Sequence, residues 1–129
     1  IARMPLPLEL GDAMRSWCNP AGEDDQISEF SADLFAQSVN GYAQVAAGWI
    51  TADESASIVA ATETILVELA SRFCADALNE NYFGWNPERF ASRSEHNEER
   101  AASQLHVAES LAAQRDDLEK IVTRSFAQA

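Results

Sequence analysis

Glu68, Arg72 and Asp76 stand at four-residue steps in ELASRFCADALNENYFGW, residues 68–85. On a helix such steps drift by only about 40° each, so the three groups share one face. A carboxylate–guanidinium–carboxylate line can do two things. It can form i,i+4 ion pairs in solvent, each contributing about 0.2–0.5 kcal/mol. It can instead build a polar network against another segment or a ligand. Leu69, Phe73 and Ala77 follow each charged residue by one position, so the charged line borders an apolar stripe, as groups facing a cleft do. Just downstream, Tyr82, Phe83, Trp85 and Phe90 crowd nine positions around Gly84 and Pro87. Such rings close small helical cores, with Gly and Pro shaping the turn. The alternative is a ring platform for a sugar or a base.

Other residue types give weaker chemistry. His96 and His106 are ten apart with no Cys or further His at ligand spacing, so no metal site is assigned. His96 is expected at the surface or at a helix N-terminus. Glu23, Asp24 and Asp25 lack the alternating ligands, central Gly and final Glu of a calcium loop, and read as a solvated acidic loop. Cys18 and Cys74 sit among apolar neighbours and read as two buried thiols, with a disulfide or a reactive thiol as alternatives. The sequence has no Gly-rich phosphate loop, Ser elbow, CxxC or zinc signature, and no catalytic residue is assigned.

The elements that must position these groups are helical. Pro5 and Pro7 predict an extended stretch over residues 1–8, followed by a short helix over about 10–18. Asn19-Pro20-Ala21-Gly22 is a turn. Ser31 predicts an N-cap for a helix carrying Leu34, Phe35, Val39, Tyr42 and Val45, ending near Gly48. Thr51 and Glu54 form a capping box that opens the longest helix, about 52–80, striped by Ile58, Ile65, Leu66, Leu69, Phe73 and Ala77. Asn79-Glu80-Asn81 fits its end, and residues 82–91 form the aromatic loop. Ser94 with Glu95, Glu98 and Glu99 opens a helix that runs to about 114 on Ala101, Leu105, Ala108 and Leu111. A last amphipathic helix carries Leu118, Ile121, Val122 and Phe126. The expected fold is one all-α domain over residues 1–129, a compact bundle of four to five helices with short antiparallel connections.

The chain has 129 residues, enough for one real core, and 47% hydrophobic residues exclude intrinsic disorder. Nine Lys and Arg stand against 21 Asp and Glu, a net charge of -12. Such a chain is repelled by phosphate backbones and anionic lipid, so neither nucleic acid nor membrane is an expected partner. No apolar run approaches the roughly 20 residues of a membrane span, and Pro5 and Pro7 break the one candidate leader. A cytoplasmic location is expected. The opening IARMPLPLELGD lacks a first Met, as in a processed chain or one missing its N-terminal part.

Four segments occur in a telling order: PLELGDAMRSWCNPAGED, ELASRFCADAL, YFGW and EHNEERAASQL. Together, over about residues 5–115, they resemble the C-terminal helical part of the aminoglycoside phosphotransferase-like enzymes, in the branch of bacterial sugar and amino-sugar kinases. The resemblance implies the helical subdomain of a protein-kinase-like fold. It implies ATP and magnesium for the full-length enzyme, held by an N-terminal lobe, an H-x-D-x-x-x-x-N loop and a metal-binding Asp. All of these would lie before Ile1, so the chain itself is expected to hold no cofactor and to lack kinase activity. Glu9-Leu10-Gly11-Asp12-Ala13-Met14-Arg15 matches the family's D-F-G-D-A-I-R segment. Asp12 and Arg15 fit it directly, while Glu9 replaces Asp and implies an altered contact to the catalytic loop. Arg72, in E-x-x-x-R-F-x-x-D, would point to the substrate cleft or brace its wall. Substrate-side residues are therefore Asp12, Arg15, Glu68, Arg72 and Asp76. The expected partners are the missing N-terminal lobe or a second copy in a homodimer, and a small sugar ligand. A stand-alone helical interaction module without activity is the alternative.

Overall fold

A computed structural model describes residues 3–22 and 28–129. The acidic stretch Glu23, Asp24 and Asp25 lies outside the described residues. Six helices and no strand occur among those described: α1 (Leu6–Trp17), α2 (Ala32–Ala46), α3 (Ala52–Ala56), α4 (Ile58–Asn79), α5 (Arg93–Ala113) and α6 (Arg115–Gln128). The all-α expectation holds, with one helix more than the four to five read from the sequence.

Local chemistry sets most of the boundaries. Ser31 caps α2 by accepting the Leu34 N–H, as expected. Thr51 and Glu54 satisfy each other's backbone N–H groups at the start of α3, the capping box read from the sequence. Glu80 ends α4 in the left-handed conformation, φ 51°. Three expectations are corrected. The stretch 1–8 is not extended throughout, because α1 begins at Leu6 with Pro5 at its cap and Pro7 in the first turn. First-turn N–H groups have no intrahelical acceptor, so proline loses nothing there. The helix 52–80 is two helices. At Ser57 the hydroxyl donates to the Asp53 carbonyl at 2.6 Å and the N–H is shared among the Asp53, Glu54 and Ser55 carbonyls, which interrupts the regular helical hydrogen bonding. The start of α5 is capped by Ser92, not Ser94. Ser92 accepts the Glu95 N–H, and Glu95 accepts the Ala91 N–H in return.

α4 is the hub, packed along α5 on one side and along α1 on the other, while α2 lies against α6. Met14 and Cys18 of the α1 end, Phe35 and Val39 of α2, Ile58 and Leu66 of α4, Val107 and Leu111 of α5 and Leu118 of α6 are fully buried together. Burial pushes the Cys18 thiol up to about 12, leaving it inert. Cys74, expected to be buried, is exposed, and both thiols are free. Leu34, Val45 and Leu105 also face out, because alanines do part of the packing: Ala43 and Ala46 on α2, Ala101 and Ala108 on α5. α1 approaches α4 so closely that the backbone of Ala61 and Thr62 fills the space beside Gly11.

Candidate functional site

The aromatic loop between α4 and α5 is tied down by one carboxylate. Asp76, only 3% exposed, accepts the N–H groups of Asn81 (2.9 Å), Tyr82 (2.8 Å) and Phe83 (2.8 Å) and the side-chain amide of Asn97 (2.8 Å). Burial opposes its charge. The four donated hydrogen bonds outweigh that and hold its carboxyl below the ordinary carboxylate range. The left-handed turn at Glu80 swings the three N–H groups back onto the helix end. Asp76 is thus committed to the loop rather than to the line it shares with Glu68 and Arg72.

Arginines clamp the rings. The Arg72 guanidinium lies 5.4 Å from the centroids of both Tyr82 and Phe83 and donates to the Tyr82 hydroxyl at 3.3 Å. Arg100 donates to the Gly84 carbonyl at 2.7 Å and lies over Phe73, which packs on Phe83 at 4.5 Å. Arg93 donates to the Glu80 carbonyl, and Arg89 covers Phe90. His96 does sit in the first turn of α5, but it is buried rather than at the surface. Its ring stacks on Phe90 at 4.0 Å, and its Nδ1 accepts the Asn86 N–H at 3.1 Å.

Between α1 and α4 runs a cleft of about 550 Å³. Asp12 and Arg15 line it from α1, Glu68 and Arg72 from α4, over an apolar floor of Leu8, Ile65 and Leu69. Arg15 grips Asp12 through Nε (3.0 Å) and a terminal nitrogen (2.9 Å), whereas Arg72 stands 3.7 Å from Glu68 in a looser, half-exposed pair. A second hollow of about 500 Å³ shares Arg15 and Leu69 with the first and continues to Phe83, Trp85, His96 and Arg100. Four of the five substrate-side residues named from the sequence therefore share one cleft. The fifth, Asp76, lines a smaller hollow of about 280 Å³ beneath Tyr82. The cleft presents donors and acceptors in alternation above apolar carbon, an arrangement suited to a small polyhydroxylated molecule.

Sequence reasoning missed Asn97, fully buried against Asp76. It also missed Gln104, whose buried amide has no hydrogen-bond partner among the described residues. A polar residue inside a charged helix start carries no sequence signal of burial. His106 is exposed beside Glu109, and among the described residues no three His, Cys, Asp or Glu side chains gather to hold a metal ion. No helix of the described residues is long and apolar enough to cross a membrane. Compared with protein-family models and with curated proteins, the chain matches none.

Proposed function

We propose that this chain is the substrate-side helical part of an ATP-dependent phosphotransferase of the aminoglycoside phosphotransferase-like kind, acting on a hydroxyl of a sugar or similar small molecule. One observation carries the reading. Two of the segments that carry the resemblance, Glu9–Arg15 and Glu68–Asp76, contribute Asp12, Arg15, Glu68 and Arg72 to a single cleft. Paired guanidinium and carboxylate groups would hydrogen-bond a polyol, and Leu8, Ile65 and Leu69 would take its apolar face. Phosphoryl transfer rests on neutralising and positioning the γ-phosphate. In this cleft both arginines already face carboxylates, so ATP and magnesium do not fit it and are assigned to another part of the enzyme. The chain alone is expected not to turn over ATP. In calorimetric titrations with amino sugars and neutral sugars it is expected to release heat, and Glu68→Gln to weaken binding several-fold without altering the helical signal. Absence of heat with every sugar would end the ligand-wall reading. ATP consumption by the isolated chain would end the division of labour.

A second reading, an interaction module that pairs with its own copy, draws on a different face. Val67, Cys74 and Leu78 lie on one exposed side of α4, with Leu78 89% exposed and Tyr82 70% exposed beside its end. Light scattering on a size-exclusion column decides it. A dimer whose population collapses in Leu78→Glu supports self-association, and a clean monomer at high concentration refutes it.

A further inference from the structure

On the outer side of α4, Ala60, Thr64, Val67, Ser71, Cys74 and Leu78 follow one another at alternating steps of four and three residues. That alternation is the seam spacing of paired helices, and it keeps one stripe aligned for about 27 Å. All of these residues are exposed, and none carries a charge, on a chain with a net charge of -12. The hydroxyls on the stripe are already satisfied. Thr64 donates to the Ala60 carbonyl and Ser71 to the Val67 carbonyl, both at 2.8 Å, so covering them strands no polar group. The charges that flank the stripe cancel in pairs, Glu63 with Arg115 from α6 and Glu68 with Arg72. A chain whose overall charge repels its own copy is electrically balanced along this face.

We propose that this face is a self-pairing seam, on which α4 of a second copy lies antiparallel and centred between Val67 and Ser71. Size and charge select the direction. In that register Leu78 of each copy covers Ala60 of the other, Cys74 meets Thr64, and Val67 meets Ser71. Leu78 and Val67 thus each lie on a small residue, as close packing requires. Glu68 of each copy approaches Arg72 of the other, and the two helix dipoles run head to tail. A parallel pair would instead stack Leu78 on Leu78, leave Ala60 facing Ala60, and set Glu68 against Glu68 and Arg72 against Arg72. The seam rests on the second reading above, self-association through α4, and adds its direction and register. Because Thr64, Glu68 and Arg72 also line the cleft between α1 and α4, the second copy stands along the cleft rim.

The test is thiol cross-linking of the full chain with a short bismaleimide, read by denaturing electrophoresis beside light scattering. Cys18 is buried and inert, which leaves Cys74 as the accessible thiol. In the antiparallel seam the two Cys74 thiols lie about 15 Å apart along the axis, beyond the reagent. Thr64→Cys brings a thiol beside Cys74 of the second copy. The wild type is therefore expected to form a dimer in solution yet stay uncross-linked, and most of the Thr64→Cys chain to become a covalent dimer. Glu68→Arg sets two arginines against each other and is expected to raise the dimer dissociation constant about tenfold. A monomeric wild type at high concentration would end self-association and the seam with it. A dimer that cross-links through Cys74 alone, a dimer that stays uncross-linked in Thr64→Cys, or a Glu68→Arg dimer as tight as the wild type would overturn the antiparallel register while leaving self-association standing.

Discussion

Replacing Asp76 by alanine is expected to unfasten residues 81–83 and lower the melting temperature by roughly 10 °C, as four hydrogen bonds to one buried carboxylate disappear together. Asparagine is not a rescue. One carboxylate oxygen serves Asn81 and Tyr82 and the other serves Phe83 and Asn97, so an NH₂ on either side meets two donors. The wild-type acid limb should disappear in the same variant. Asp76 has a folded pKa below its unfolded value, so its contribution is complete above about pH 4, where the unfolded carboxyl titrates, and drains away as pH falls through the lower folded value. Melting curves collected from pH 7 to pH 2 check this. The wild type should lose a component below about pH 4 that Asp76→Ala never had. Equal melting temperatures at pH 7 would mean that the loop is held by its arginine–ring contacts instead.

That arrangement explains which features were legible in the sequence. Caps are local chemistry: Ser31 needs only its own Leu34 N–H, and Thr51 and Glu54 need only each other. Both read correctly from a few letters. Asp76 reads as the end of an i,i+4 charge line because Glu68 and Arg72 precede it at the right spacing. Its real partners are N–H groups five to seven residues on, turned back by a left-handed Glu80, and an amide 21 residues away. No short-range pattern carries that. The break at Ser57 was hidden for the opposite reason, since both flanking segments favour helix and one hydroxyl decides the boundary. Burial was least legible where helices are apolar on several sides. Val45 is 77% exposed while Ala43, two residues earlier, is fully buried, so the neighbouring helix rather than hydrophobicity selects the face. The grouping of Asp12, Arg15, Glu68 and Arg72 came from the resemblance alone; spacing carries no sign of it, since a shared cleft depends on where α1 crosses α4.

Gly11 sets that crossing, and its replacement should reveal it through the sign of the effect. In a helix interior, alanine is favoured over glycine by about 0.8–1 kcal/mol. At Gly41 in α2, where a Cβ would meet nothing within 4 Å, Gly41→Ala should therefore raise stability by about 0.5–1 kcal/mol. At Gly11 the same methyl would lie 2.7 Å from the carbonyl carbon and oxygen of Ala61 and 2.9 Å from the Thr62 nitrogen. These are backbone atoms of a long helix and cannot rotate aside, so α1 must lift from α4. Overpacking of this kind costs about 1–3 kcal/mol, enough to reverse the helix gain and leave Gly11→Ala less stable by about 1–2 kcal/mol. Urea denaturation of the two variants measures both signs, with unchanged slopes showing that the unfolded states are alike. Lifting α1 also carries Asp12 and Arg15 away from Glu68 and Arg72, so Gly11→Ala should weaken any ligand held in that cleft while Gly41→Ala leaves it untouched. A Gly11→Ala variant as stabilised as Gly41→Ala would show that the two helices are not in backbone contact there.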